Sequence, residues 1–494
     1  MIHHGAGADL PGEIVGWDAS RLSEAIHARE VSCREVMSTY LAHIDRWNPR
    51  INAIVSRRDD DVLLEEADQC DLELQQGRSR GWLHGIPQAI KDLTDAKGLP
   101  TSMGSPLFAG QLADRDSLMA GRMRQAGALF IGKTNTPEFG LGSHTFNDVF
   151  GATRNPWQPA LSAGGSSGGA AAALACRMLP VADGSDMMGS LRNPAAFNNV
   201  FGLRPSFGRV PVLSTGDNFG QQLSTAGPMA RSVADLARLL ALQAGPHPSV
   251  PLSIAEDPTL LLPPFDALPA GARIGWIGDW QGYLAMEEGI VTLCEQALGV
   301  FQTLGCEVEY VTPEMDPDSL WSSWQVLRQW AVAGNLAPIW QDSSRRDALK
   351  PEACWEVERG VALSAMQVFE ANRMRSRWYA CLIKLFERFD YLALPSAQVF
   401  PFPVAQRWPT EIDGRSMDTY HRWMEVVIPG SLSGCPVISL PAGFGATGLP
   451  MGVQLIGRHR AERAMLALAS AYEAAASRLI NTLPDLLKEN NNAC

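Results

Sequence analysis

Short apolar runs alternate with stretches of helical periodicity along almost the whole chain, and few folds accommodate that alternation. The runs 86–90, 129–132, 274–277, 308–311, 391–394, 437–440 and 452–456 read as buried strands. Between them, 60–76, 116–126, 168–178, 232–243, 286–304, 318–334, 355–388 and 461–477 have the spacing of helices. Ser32, Cys33, Arg34 and Glu35 fit a capping box, and Val36, Met37, Tyr40, Leu41 and Ile44 continue as one apolar face. The expected class is α/β, with helices covering a mostly buried sheet. No internal repeat or low-complexity linker divides the chain, so residues 1–494 are expected to form a single domain. The proline-rich stretches 246–269 and 395–409 read as surface excursions, and 1–15 and 489–494 as frayed ends.

Composition narrows the partners. With 41 basic and 53 acidic residues the net charge is −12, so neither nucleic acid nor a membrane is an expected partner. No run of eighteen apolar residues is present, and the first residues lack a basic segment leading into an apolar one, which predicts a cytoplasmic protein without a secretory signal. The nine cysteines show no CxxC spacing and no neighbouring histidine cluster. They read as free thiols, with no metal site and no cofactor expected.

Three segments could carry chemistry. In the first, Lys91 closes the apolar run that begins at Gly85, in a chain with only six lysines. Burial would lower its pKa and make it a base; a strand-end lysine paired with Asp92 or Asp95 explains the residue equally well. In the second, Gly164-Gly165-Ser166-Ser167-Gly168-Gly169 leads directly into an alanine-rich helix. Such a run turns tightly and exposes N–H groups at a helix start. A flexible linker seldom enters a buried helix so abruptly, and the Gly-Lys-Ser/Thr order of a phosphate loop is absent. In the third, Asp183 to Pro194 places Ser190 after Gly189 on a turn whose N–H groups could converge on one point, as acyl transfer requires. Taken alone, a serine there is more often a turn residue. None of the nine histidines lies in a Gly-x-Ser-x-Gly context, so a Ser-His-Asp arrangement has no support.

Together these segments resemble the amidase signature family in order and spacing: Lys91, then Ser166, then Ser190 twenty-four residues later. Segments 132–138, 155–157, 200–205, 227–233, 434–436, 440–443 and 449–454 are also similar to the family, so the likeness covers about residues 18–476. The resemblance implies a large twisted mixed β-sheet covered on both faces by helices, with a catalytic core at about 80–235 and a variable substrate lid at about 313–430. It implies a Ser–cisSer–Lys hydrolase that needs no cofactor. Ser190 is the implied nucleophile, and Ser166, preceded by a cis bond, bridges it to Lys91. The backbone N–H groups of Met187, Met188, Gly189 and Ser190 form the implied oxyanion hole. Asp186 and Arg192 are expected to hold the loop's shape, and Ser167 to orient Ser166 or Lys91.

The family usually carries a small residue and a glycine where this chain has Met187 and Met188. Either the two thioethers reshape the acyl pocket or they pack into the core. Gly140, Leu141 and Gly142 correspond to pocket wall. Trp321, Trp324, Trp330 and Trp340, with Trp408, Tyr420 and Trp423, favour an apolar or aromatic substrate, although any one of them is more often core. The wording from Met187 to Pro194 resembles a bacterial or metagenomic subgroup that includes urethanases. The expected activity is hydrolysis of linear aryl or alkyl amides, with carbamates and esters in range, on a small-molecule substrate. A homodimer is expected by analogy. The alternatives are the amidase component of a tRNA-dependent amidotransferase and a non-catalytic binding protein on the same scaffold.

Overall fold

A computed structural model describes residues 13–213, 217–220, 222–268 and 271–488. Eight strands form its main sheet, in the spatial order Val181–Asp186, Thr225–Ala230, Phe201–Arg204, Val437–Phe444, Pro450–Ile456, Tyr391–Pro395, Arg273–Trp276 and Glu307–Tyr310. The pairs are antiparallel as far as Tyr391–Pro395 and parallel beyond it, so the sheet is mixed. A second sheet of three strands places Leu129–Thr134 between Ile54–Val55 and Pro87–Lys91.

Helices lie on both faces of the main sheet. Gln454 accepts a hydrogen bond from Arg192 of the helix Arg192–Asn198 at 2.6 Å. Gly443, which pairs with Met451, faces Leu293 of the helix Ile290–Thr303. Met451 and Gln454 are three residues apart on one strand, so they point to opposite faces, and the two helices sandwich the sheet. One hydrophobic cluster runs from Val15 to Leu487. A smaller one ties Leu141 to Val332, Leu336, Ala353 and Val357.

Each of the seven expected strands is present, within a few residues of its expected bounds. The segment Glu307–Tyr310 departs from expectation: it lies at the edge of the main sheet opposite Val181–Asp186 and is largely exposed, not buried. Three strands of the main sheet escaped the sequence reading. Val181–Asp186 carries two aspartates, a serine and a glycine, Thr225–Ala230 contains Gly227 and Pro228, and Phe201–Arg204 contains Gly202. Polar and small residues near a site erase the apolar signature of a strand. The expected helix 355–388 is two helices, Pro351–Val361 and Ala365–Arg388, with a second capping box at Ser364. The stretch 395–409 is a surface excursion only from Pro403 onward, since 395–402 is buried. At the start, Ile14–Gly16 forms a turn with Val15 buried, while 1–12 and 489–494 lie outside the described residues. Among the described residues no helix is long and apolar enough to cross a membrane.

Candidate active site

Lys91 ends the strand Pro87–Lys91, all of whose residues are buried. Its backbone N–H donates to the Asp183 carboxylate at 3.1 Å, so a side chain joins the small sheet to the edge strand of the large one. The Lys91 side chain is 0% exposed. Its Nζ lies 2.8 Å from Ser166 Oγ, 2.9 Å from Ser167 Oγ and 3.2 Å from Ser185 Oγ. These acceptors are hydroxyls, which hold the amine in place without the charge that would stabilise an ammonium. Burial lowers its pKa to about 7, against the pull of Asp183 and Asp186. Near neutral pH such an amine can both accept and give up a proton.

The Gly164–Gly169 run supplies two of those hydroxyls. The Gly165–Ser166 bond is cis. The helix Gly168–Ala175 starts immediately afterwards and is buried throughout. Two glycines at its start permit close approach. A Cβ on Gly169 would strike the backbone of Asn135 and Ala53, and one on Gly168 would strike Thr145 Oγ1. The alanines that follow present small, featureless surfaces, which lets the helix sink between the sheets.

Ser190 sits on the turn between Val181–Asp186 and Arg192–Asn198 and is 7% exposed. Asp186 grips this turn. Its carboxylate accepts from Gly189 N at 2.8 Å and Leu191 N at 3.2 Å, and from Arg192 Nε at 3.0 Å and Nη2 at 3.1 Å. Arg192 and Arg204 hold its pKa well below the usual carboxylate range despite burial. The Gly189 N–H is thereby spent on Asp186, which removes it from the expected set of four oxyanion donors. The N–H groups of Met187, Met188 and Ser190 have no acceptor among the described residues. The structure joins Lys91 to Ser166 and Ser167. It places no hydrogen bond between the Ser166 and Ser190 hydroxyls.

Sequence reasoning missed Ser185 and Asp183 as parts of this centre. Both face Lys91 from one side of the strand Val181–Asp186, at positions i and i+2. Recognising that strand would have found them. Asp183 is buried and its pKa is raised to about 6 by desolvation, with the Lys91 N–H and the Lys133 and Lys91 charges opposing the rise.

The pocket-wall glycines divide. Gly140 lies against the centre, since a Cβ there would come 3.5 Å from Ser166 Oγ. Leu141 belongs to the smaller hydrophobic cluster, and its carbonyl accepts from Lys350 at 2.5 Å. A Cβ on Gly142 would meet the Tyr420 ring at 3.8 Å. A narrow cavity beyond it is lined by Gly142, Phe146, Lys350, Trp408, Tyr420 and Trp423. The two methionines also differ. Met188 is core, whereas Met187 is partly buried and its sulfur meets Arg328 Nη1 at 3.4 Å.

Arg328 introduces a second polar cluster that the sequence did not announce. Its Nε donates to Glu356 Oε1 at 2.5 Å and its Nη2 to Tyr420 Oη at 2.7 Å. Tyr420 in turn donates to Glu356 at 2.6 Å. Trp321 and Trp324 stack at 5.3 Å and meet His421 edge-on, so both are wall and core to this cluster. Trp423 is buried, while Trp330, Trp340 and Trp408 are only partly so. Among the described residues no group of three or more His, Cys, Asp or Glu side chains is gathered in a way that could hold a metal ion.

The family model described as Amidase matches residues 35–466. An acylamidase of Rhodococcus erythropolis is 33% identical over 460 residues, covering 92% of this chain and 94% of that protein. A glutamyl-tRNA(Gln) amidotransferase subunit of Chloroflexus aurantiacus is 32% identical over 474 residues, covering 91% and 94%. The crystal structure of a bacterial aryl acylamidase of the amidase signature family superposes with a TM-score of 0.87 at 28% identity, covering 95% of this chain and 98% of that one.

Proposed function

Because the chain belongs to the amidase family, we propose that it is a serine amidohydrolase that cleaves linear aryl or apolar amides through an acyl-enzyme on Ser190. Neutral Lys91 takes the proton of Ser166 as Ser166 takes that of Ser190, whose oxygen attacks the substrate carbonyl. For this step Ser190 Oγ turns toward Ser166, since the two hydroxyls are not yet bonded. The N–H groups of Met187, Met188 and Ser190 receive the developing oxyanion. The tetrahedral intermediate collapses, the C–N bond breaks, and the leaving nitrogen takes a proton back along Ser166 from Lys91. Water then attacks the ester under the same relay, releasing the acid and restoring Ser190. Ser185 and Ser167 hold the amine, while Asp186 and Arg192 hold the turn. The single observation that carries this reading is a fully buried Lys91 whose Nζ lies 2.8 Å from Ser166 Oγ.

Carbamate and ester carbonyls require the same machinery, so aryl carbamates and activated esters belong to the proposed range. The aromatic lining of Trp408, Tyr420 and Trp423 supports an apolar or aromatic substrate. Hydrolysis by the purified chain of a panel of anilides, aliphatic amides, aryl carbamates and nitrophenyl esters tests the reading. Cleavage of anilides is expected, and failure to cleave any amide would overturn it. The likeness to the amidotransferase component keeps a second reading in view, in which the chain works inside a complex on charged tRNA. Turnover of a simple amide by the isolated chain separates the two.

A further inference from the structure

The cluster around Arg328 leaves one strong donor without a strong acceptor, beside the turn that carries Ser190. Arg328 is 3% exposed, and Glu356 and Tyr420 occupy its Nε and Nη2. Among the described residues its Nη1 meets only the Met187 thioether, at 3.4 Å, and thioether sulfur is a weak acceptor. A buried N–H in that position has lost its water without gaining an equivalent bond. The ion pair with Glu356 does not explain it, since pairing uses Nε alone. The Trp324 and Tyr420 rings lie 5.3 Å and 5.9 Å from the guanidinium carbon and hem in its plane. Met187 is only partly buried and has three rotatable bonds, so it can leave Nη1 to a better partner.

The location of that donor matters. Gly140 backs Ser166, Gly142 faces the Tyr420 ring, Tyr420 bonds Arg328, and Arg328 touches Met187, the first residue of the Ser190 turn. These contacts lead from Ser166 through Gly140, Gly142 and Tyr420 to Arg328, and from Arg328 to the residue that opens the Ser190 turn. We propose that Arg328 is a specificity determinant whose Nη1 donates to an oxygen acceptor on the substrate, displacing the Met187 thioether. The oxygen is an ether, a carbonyl or a carboxylate carried next to the scissile group. An isosteric methylene would leave the buried N–H unpaired, and sites built in this way discriminate strongly. The inference rests on the amidohydrolase reading, because a substrate must reach Ser190 to meet Nη1.

Two substrate pairs test it. Methoxyacetyl and butyryl 4-nitroanilides exchange an oxygen for a methylene on the acyl side. The butyramides of 2-methoxyethylamine and butylamine do so on the amine side. kcat and KM are measured for the wild type and for Arg328→Met combined with Glu356→Gln, so that neither half of the buried pair is left alone. In at least one pair the wild-type preference for the oxygen-bearing member should fall by about tenfold or more, mainly through KM. Met187→Leu, which keeps Arg328 but removes its sulfur partner, should raise that preference and serves if the double variant does not fold. Wild-type cleavage of neither member of any pair would overturn the amidohydrolase reading and this inference with it. Cleavage of both, with a preference that each variant leaves within about twofold, would overturn this inference alone.

Discussion

Lys91 and Arg328 are both buried cations, and their surroundings differ in kind. Lys91 is met by serine hydroxyls, and the Asp183 carboxylate is engaged by its backbone N–H. Arg328 is met directly by Glu356 and by a tyrosine that bonds the same carboxylate. Desolvation acts on both. At Lys91 it wins, and the pKa falls to about 7. At Arg328 the fields of Tyr420 and Glu356 outweigh it, and the pKa stays above the ordinary value. Glu356 is likewise held at about 2 in spite of its burial, chiefly by the Arg328 charge. A cation placed among hydroxyls is a proton carrier, whereas one placed against a carboxylate is a fixed charge.

The largest expected effect tests the first region. Ser190→Ala should lower kcat/KM for an anilide by at least about 10⁴-fold with the melting temperature nearly unchanged, measured by steady-state kinetics and thermal unfolding. Retained turnover would detach the serine from the chemistry.

Next, Lys91→Met should cost about 10³-fold or more in kcat, as loss of a general base does. In the wild type, kcat/KM should rise with pH through an apparent pKa near 7, the value to which burial lowers Lys91. Folding stability should follow the same group. Between about 7 and the ordinary lysine value of 10.5, the unfolded chain binds a proton that the folded chain does not. The Lys91 contribution therefore rises with pH across that window, and Lys91→Met should flatten it in a series of urea melts. An unaltered pH–stability slope would contradict a desolvated amine.

Glu356→Gln should do the reverse. Leaving Arg328 buried without its counter-charge should destabilise the fold by about 3–5 kcal/mol. The activity limb near pH 7 should stay where it is. The ordinary glutamate value is 4.5 and the folded value about 2, so the wild-type contribution of Glu356 is present above 4.5 and disappears as pH falls toward 2. If Glu356→Gln moved the activity limb, the two clusters would be one electrostatic unit.

The smallest effect sharpens the boundary between them. Gly140 has φ +68° and lies between Leu93 and Ser166. Gly140→Ala should cost about 1–2 kcal/mol in stability from the left-handed backbone alone. It should also lower kcat through its pressure on Ser166, whereas the open, exposed Gly98 (φ +83°) changed to Ala should lower stability alone.

Much of the large sheet could be read directly. Strands such as Val437–Phe444 and Pro450–Ile456 are buried on both faces and carry a mostly apolar signal, interrupted by Ser439 in one and Gln454 in the other. The strand that matters most, Val181–Asp186, was invisible because four of its six residues are polar or glycine, serving the site and not the core. Lys91, Ser166 and Ser190 were legible through motif order. The loss of Gly189 as a donor was not, because only the folded turn places its N–H on Asp186. The Arg328 cluster was hidden for another reason. Arg328, Glu356 and Tyr420 come from segments far apart in sequence, and no local spacing couples them. The tryptophans around them were visible, and the cation they enclose was not.

The seam between the two sheets has a consequence of its own. Asp183 stitches strand Pro87–Lys91 to its larger neighbour through the main chain of the very residue whose amine it also influences. Architecture and basicity therefore share one atom group. A substitution that retunes the proton holder by altering this acid also loosens a joint between layers, so natural variants should adjust reactivity at the serines or the walls before they touch the acid.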